Sequence, residues 1–70
     1  MATAAFRDPF AVEWIDQRQE YGEERSVLLG MVGHGVLLVV YTERVGNIRI
    51  ISARRALKHE QDIYYRQNAP

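Results

Sequence analysis

Residues 41–55 read Y-T-E-R-V-G-N-I-R-I-I-S-A-R-R, and this stretch decides the fold that the sequence predicts. It has the pattern of a strand end, a tight turn at residues 45–47, a second strand and the start of a helix. The basic side chains in and just after it are Arg44, Arg49, Arg54, Arg55 and Lys58. Because a guanidinium beside buried isoleucines must stay solvated or paired, the pattern predicts a surface that meets an anion.

The residues before this stretch contain two further strands and the rest of the strand that ends in it. Residues 10–15, 26–32 and 36–42 are rich in β-branched and aromatic side chains, which is typical of strands. The glycine-flanked His34 lies between the second and third of them and predicts a hairpin turn, since glycine adopts the positive φ that such turns need. The predicted fold class is α+β, an antiparallel meander of about four strands with a C-terminal helix on one face.

The fourth strand and the helix determine where the arginines point. Alternation along residues 48–52 places Ile48, Ile50 and Ser52 on one face, and Arg49 and Ile51 on the other. From residue 53 the apolar spacing becomes helical, and Ser52 is the predicted N-cap of a helix that begins at once.

The strand at residues 36–42 is apolar on both of its faces. A sheet built around it therefore needs cover on two sides, and one amphipathic helix covers only one side. We expect that the predicted helix covers one face of the sheet and that no other predicted element covers the second face. Its cover would be a missing element, a partner chain or a second copy of this chain.

Composition narrows the classes of protein. The chain has 70 residues and no cysteine, which fits one domain spanning residues 1–70 without disulfides or thiolate metal sites. Residues 1–43 carry three basic and seven acidic side chains, and residues 44–70 carry six basic and two acidic ones. This asymmetry is typical of a face for a polyanion, although solvated surface charge also explains it. The longest apolar run is too short to span a membrane, so we expect a cytoplasmic protein.

Motifs for several kinds of chemistry are missing from the sequence. It contains no G-x-S-x-G, no H-E-x-x-H and no glycine-rich phosphate loop. The acidic residues 16–24 lack the spacing of a calcium loop and are interpreted as a solvated loop. His34 has no acidic partner at a recognisable spacing and is interpreted as an exposed turn residue. We therefore expect neither a metal nor a cofactor.

The arginines remain as the feature on which a function can be argued. Their planar guanidinium suits bidentate contacts with phosphate, and it stabilises the charge that develops when a ribose 2′-hydroxyl attacks a phosphate. The candidates for proton transfer are Glu43, Glu60, Tyr41, Tyr64 and, more weakly, His59. A salt-bridged surface with packed arginine stems explains the same pattern equally well.

One run of residues resembles a known family. The pattern L-L-V-V-Y-T-E-R-x-G-x-I-R-I-I-S-A-R-R-A-x-x-x-E-x-x-x-Y at residues 37–64 is similar to the C-terminal signature of BrnT-type toxins of bacterial type II toxin–antitoxin pairs. F-R-D-P-F at residues 6–10 and G-E-E-R-S-V-L-L-G at residues 22–30 resemble the middle of that family. The resemblance implies a RelE-like fold and an mRNA-cleaving endoribonuclease that uses no metal and no cofactor.

The resemblance also implies a site and partners. Matching to the family motif gives the catalytic positions Glu43, Arg44, Arg49, Arg54, Glu60 and Tyr64, and the RNA-binding positions Arg44, Arg49, Arg54, Arg55 and Lys58. Ser52 falls on another recurrent position, and Tyr41 stands where many members carry histidine. The implied partners are an RNA substrate and a cognate ribbon-helix-helix antitoxin, with DNA contacted only through that antitoxin. A homo-oligomer is a further expectation.

The front of the chain departs from this family. Members normally begin with a strand, a helix bearing W-D-x-x-K-x-x-N-x-x-K-H-G and a second helix, whereas residues 1–5 match only the tail of that second helix. The expectation is an N-terminally truncated member that lacks cover on its second sheet face. Two other classes stay open. One is a non-catalytic module or inactive toxin remnant that pairs with an antitoxin or with itself, and the other is a general nucleic-acid binder.

Overall fold

Four strands and one α-helix account for most of the part of the chain that the structure describes. The structure is a computed structural model and describes residues 2–16 and 24–69. The elements in chain order are a 3-10 helix (Ala2–Arg7), β1 (Val12–Asp16), β2 (Arg25–Val32), β3 (Gly35–Arg44), β4 (Asn47–Arg55) and α1 (Lys58–Gln67). The predicted acidic loop falls mostly on residues 17–23, which lie outside the described residues.

The strands form one antiparallel sheet in the order β1-β2-β3-β4, in which each strand pairs with its neighbour in sequence. Antiparallel neighbours need only short connections. Two-residue turns join β2 to β3 and β3 to β4, since Val32 pairs with Gly35 and Arg44 pairs with Asn47. The predicted α+β meander with a C-terminal helix is therefore confirmed.

The two faces of the sheet are buried by different elements. On the helix face, the side chains pack against α1, and the buried cluster comprises Val27, Leu29, Val36, Leu38, Ala56 and Tyr64. On the 3-10 face, the buried cluster comprises Ala5, Leu28, Val39 and Tyr41. Neighbouring residues of β2 and β3 alternate between these clusters, so β3 is covered on both sides, as its two-sided apolar pattern requires.

The 3-10 helix corrects the expectation of a bare second face. Ala5 is fully buried there, and the ring of Phe6 packs edge-on against Tyr41 with 4.9 Å between ring centroids. A Cβ built on Gly30 would lie only 2.5 Å from the carbonyl oxygen of Ala5. Glycine therefore allows the 3-10 helix to approach β2 closely. The margins of this face stay open, and Ile15 and Ile48 are about half exposed there.

Asp8 joins three parts of the fold. Its carboxylate accepts hydrogen bonds from the N–H of Phe10 at 2.9 Å, from the N–H of Met31 at 2.7 Å and from the hydroxyl of Tyr64. Burial by itself raises the pKa of Asp8, but these three hydrogen bonds outweigh burial and lower its pKa. Asp8 thereby links the N-terminal segment to β2 and to α1.

An irregularity in β4 corrects the predicted alternation. Val40 pairs with Ser52 and Tyr41 pairs with Ile50, so Ile51 is an extra residue that has no partner in β3. Such a bulge moves every later side chain of the strand to the opposite face. Ser52 consequently shares the face of Arg49, whereas simple alternation predicted that it shares the face of Ile48 and Ile50.

The predicted start of the helix was also wrong. β4 continues to Arg55 because Ala53, Arg54 and Arg55 pair with residues 39, 38 and 37 of β3, and α1 begins only at Lys58. Ser52 is therefore a strand residue and caps no helix. The N-terminus of α1 is capped instead by the carboxylate of Glu60, which accepts a hydrogen bond from the N–H of Leu57 at 2.7 Å.

Candidate functional site

Three of the predicted arginines lie on the helix face of the sheet. Arg49 is paired with Thr42 and Arg54 is paired with Leu38, and both partners belong to the helix face of β3. Arg44 follows Thr42 by two residues and shares its face by alternation. All three arginines are exposed. Without the bulge at Ile51, Arg54 would point to the opposite side from Arg49, so the bulge is what groups them.

Arg54 is held in place by Glu60. Its two terminal guanidinium nitrogens donate to the two carboxylate oxygens of Glu60 at 2.8 and 2.9 Å. The Glu60 side chain is only 12% exposed, whereas that of Arg54 is 49% exposed, so the guanidinium is fixed from one side and open on the other. Such a bidentate pair limits the orientations of the guanidinium.

The charges of this pair are stabilised by each other. The hydrogen bonds from Arg54 lower the pKa of Glu60 to about 2, against the opposing effect of burial, with a further contribution from the N–H of Leu57. The hydrogen bond to Glu60 raises the pKa of Arg54. Glu60 is therefore an ionised acceptor at neutral pH, and both of its oxygens are engaged. This geometry suits the orientation of Arg54 better than proton transfer, for which a pKa near the working pH is needed.

The two candidate tyrosines are buried and hydrogen-bonded to carboxylates. Tyr64 donates to Asp8 on the helix face, and Tyr41 donates to Glu13 at 2.5 Å on the 3-10 face. Burial first and the neighbouring carboxylate second raise the pKa of each phenol to about 12. Both tyrosines stay protonated at neutral pH, and their protons are directed at protein carboxylates.

The remaining predicted residues lie elsewhere. Glu43 is exposed and lies on the 3-10 face, because it alternates with Thr42 and Arg44. Arg55 is also on the 3-10 face, where it pairs with Leu37. Lys58 and the neighbouring His59 are exposed in the first turn of α1, and the Lys58 ammonium lies 3.8 Å from the carboxylate of Asp62. The predicted RNA-binding set is thus divided between two faces and a helix end.

A groove of about 300 Å³ crosses the helix face beside Arg54. A cross-strand row runs through it from Trp14 to Val27, Val40 and Ser52, one residue from each strand. The complete lining consists of Trp14, Asp16, Val27, Leu38, Val40, Ser52, Arg54 and Glu60. α1 packs over Leu29, Val36 and Leu38 of the same face, and the groove is the part beside the helix that stays open.

Trp14 is a groove residue that sequence reasoning did not single out. It is the only tryptophan of the chain, and in the structure it is 38% exposed. The signal for it was the alternation of V-E-W-I-D in β1, which sends Trp14 to the same face as Val12. That signal becomes informative only when the register of β1 on β2 is known.

A second hollow, of about 460 Å³, lies at the end of the sheet where β3 turns into β4. Glu43, Arg44 and the buried Thr42 contribute to its lining, together with Glu24. It brings an exposed carboxylate and an exposed guanidinium of the predicted set to one place.

Among the described residues, no group of histidine and acidic side chains is arranged to hold a metal ion. No helix in residues 2–16 and 24–69 is long and apolar enough to cross a membrane.

Comparison with known protein families identifies a match. A model of the family described as "Ribonuclease toxin, BrnT, of type II toxin-antitoxin system" matches residues 1–60. The matched span includes all the described strands and Glu60, and it ends before Tyr64. No curated protein and no solved structure matches the chain significantly.

Proposed function

The chain belongs to the family of BrnT ribonuclease toxins of type II toxin–antitoxin systems, and we propose that it cleaves mRNA with the arginines of the helix face. The observation that carries the proposal is the placement of Arg44, Arg49 and Arg54 on one face, with Arg54 oriented by Glu60. Guanidinium groups bind the phosphate of the substrate and stabilise the additional charge of the transition state, which are two of the requirements of this reaction.

In the proposed reaction, a ribose 2′-hydroxyl attacks the adjacent phosphorus and the 5′-oxygen of the next nucleotide leaves. A 2′,3′-cyclic phosphate and a 5′-hydroxyl are formed. Arg49 and Arg54 bind phosphate oxygens of the RNA backbone along the helix face, while a protein carboxylate accepts the proton of the 2′-hydroxyl and water protonates the leaving oxygen. This step needs neither a metal nor a cofactor.

We assign the proton acceptor to Glu43, which lies on the 3-10 face at the end of β3 but lines the hollow that Arg44 and Thr42 of the helix face also line. The carboxylate of Glu60 is occupied by Arg54 and by the N–H of Leu57, and the phenols of Tyr41 and Tyr64 are protonated donors. Glu43 is exposed and lines the hollow at the end of β3 together with Arg44. Glu60 and Tyr64 then act as positioning residues.

The family implies an antitoxin partner and an RNA substrate. We propose that the antitoxin is of the ribbon-helix-helix type, that DNA is bound only through it, and that the toxin acts in the cytoplasm. A RelE-like fold and self-association of the chain also remain proposals. Co-expression with the neighbouring gene product and co-purification tests the partner, and a chain that stays unbound contradicts this part of the proposal.

A cleavage assay on the purified chain tests the reaction. The wild type is expected to cut single-stranded RNA in the presence of EDTA and to leave 2′,3′-cyclic phosphate ends. Arg49→Ala and Arg54→Ala are each expected to lower the rate about 10²- to 10³-fold, the typical loss when one charge-stabilising donor is removed. Arg66→Ala, an exposed arginine in the last turn of α1, is the matched control and is expected to keep the wild-type rate. Folded arginine variants with unchanged rates would contradict the proposal.

The second candidate function is a protein-binding module without cleavage, which binds the antitoxin through its 3-10 face. The half-exposed Ile15 and Ile48 at the margins of that face favour it. A folded chain that binds the antitoxin but neither cleaves RNA nor arrests growth when expressed alone would support the module. Substitution of both isoleucines by serine should then weaken antitoxin binding.

A further inference from the structure

The exposed indole of Trp14 is not explained by packing alone. Tryptophan is highly buried on average in folded proteins, yet Trp14 keeps 38% of its surface exposed, and it lines the groove as well as another hollow beside Ile15 and Tyr41. It stands on the edge strand β1 at one end of the Trp14–Val27–Val40–Ser52 row, and β4 forms the other end. The groove therefore has an aromatic wall on one side and the Ser52–Arg54 wall on the other.

The charge distribution of the groove gives it a direction. Trp14 stands in the lining at the β1 end, whereas Arg54 lies on β4 beside the helix. Since Glu60 balances the charge of Arg54, the exposed Arg49 on the same face of β4 supplies the excess positive charge. A ligand with a flat uncharged part and an anionic part is therefore favoured with its anionic part towards β4.

The dimensions agree with one nucleotide. β1 and β4 are separated by three strand spacings, or about 14 Å at about 4.8 Å for each spacing. The groove volume of about 300 Å³ is at the lower end for small-ligand sites. Sites for single-stranded nucleic acid combine a basic surface along the backbone with aromatic side chains on which bases stack. The groove supplies the aromatic side chain, and Arg54 in its lining together with the exposed Arg49 outside it, on the same face of β4, supplies the basic groups.

We propose that Trp14 stacks on a nucleobase of single-stranded RNA and sets that base beside the backbone phosphates held along β4 by Arg49 and Arg54. The proposal rests on the proposed RNA substrate but not on cleavage, since stacking requires only binding. It makes Trp14 a substrate-binding residue that fixes the position of one nucleotide relative to the arginines.

The single tryptophan allows a direct test with the full chain. The probe is a fluorescently labelled 2′-O-methyl RNA oligonucleotide, which has no free 2′-hydroxyl and so binds without being cleaved. Titration is expected to quench the emission of Trp14, with the same midpoint as the rise in anisotropy of the label. Trp14→Leu is expected to weaken binding roughly 5- to 150-fold, the range found when a stacking aromatic is removed, and Trp14→Phe to retain most of the affinity.

The control variant is Phe10→Leu, which changes another exposed aromatic side chain, 61% exposed, that does not line the groove. Circular dichroism of all three variants establishes that they are folded, and Trp14→Phe supplies the test if Trp14→Leu is unfolded. In that case the phenylalanine variant is expected to bind within about threefold of the wild type, while loss of all binding by the folded phenylalanine variant would overturn the stacking role.

The outcomes separate this inference from the proposed reaction. Quenching of the Trp14 emission by the oligonucleotide, without cleavage of ordinary RNA, would support the stacking site and contradict the proposed ribonuclease activity. Cleavage of RNA at wild-type KM by Trp14→Leu keeps the activity and overturns the stacking site. The site is also overturned if the oligonucleotide binds with unchanged tryptophan emission, or if only the antitoxin changes that emission.

Discussion

The two faces of the sheet are both buried, but they are closed in different ways. The helix face is covered by the ten residues of α1, which bring the carboxylate of Glu60 to Arg54 and leave a groove beside the helix. The 3-10 face is covered by a six-residue segment whose Ala5 packs directly on Gly30. The difference is that α1 brings a carboxylate onto its face and so orients an arginine, whereas the 3-10 segment closes its part of the other face by close packing of small residues.

The same comparison applies to the two buried tyrosines. Tyr64 on the helix face and Tyr41 on the 3-10 face each donate to a carboxylate, and burial raises the pKa of both to about 12. Because the same arrangement occurs on both faces, it is interpreted as a way of satisfying a buried hydroxyl rather than as a mark of catalysis.

The largest expected effect comes from removing core volume on one face at a time. Leu29 on the helix face and Val39 on the 3-10 face are both fully buried. Leu29→Ala is expected to lower the free energy of unfolding by about 3 kcal/mol and Val39→Ala by about 2 kcal/mol, because more buried carbon atoms are lost at Leu29. Urea unfolding followed by circular dichroism measures both values. A larger loss for Val39→Ala would show that the 3-10 face carries more of the stability than its short segment suggests.

The close approach on the 3-10 face is tested by adding one carbon. Gly30→Ala is expected to cost about 1–3 kcal/mol, since its Cβ would meet the backbone of Ala5 and displace the 3-10 helix. Gly35→Ala is the matched control on the neighbouring strand, where the Cβ would lie 3.3 Å from a terminal nitrogen of the flexible Arg55 side chain. Thermal unfolding compares the two variants, and equal melting temperatures would contradict the proposed contact.

The ion pair on the helix face makes stability depend on pH. The pKa of Glu60 is lowered to about 2 from an ordinary value of 4.5, so its stabilising effect is complete above pH 4.5 and is lost as the pH falls towards 2. Glu60→Gln is expected to cost about 1–3 kcal/mol at neutral pH, because Arg54 loses its charged partner. The variant should also lose part of the acid sensitivity. Unfolding curves between pH 2 and 7 measure this, and parallel pH profiles for variant and wild type would contradict the prediction.

The smallest effect is expected at the β3–β4 turn, away from both covering elements. Val45 adopts φ 47° and is fully exposed, and Gly46 adopts φ 81°. Positive φ at both central residues is typical of a type I′ turn, in which asparagine precedes glycine more readily than a β-branched residue does. Val45→Asn is expected to stabilise the protein by about 1 kcal/mol, while Val45→Thr, which keeps the branch at Cβ, is expected to change little. A lower melting temperature for Val45→Asn would contradict this assignment.

Much of the fold followed from local patterns in the sequence. The two-sided apolar pattern of β3 predicted a central strand, and the glycines near His34 predicted its turn. The arginines and Glu60 were recognised as candidates, but their faces were not, because one extra residue at Ile51 reverses the alternation and no local pattern reveals it. The end of β4 was missed for a similar reason: pairing with β3 overrides the helical spacing that begins at residue 53.

The sequence by itself determined the class of the fold, the covered central strand and the concentration of arginines near the β3–β4 turn, since these depend on periodicity and composition. Only the tertiary structure decided that Arg54 lies on the same face of the sheet as Arg49 and that Arg55 lies on the other. It also decided that Glu60 binds Arg54 and that Trp14 lines the groove beside Arg54. These facts depend on strand register and on contacts between residues far apart in the chain, which the order of residues does not express locally.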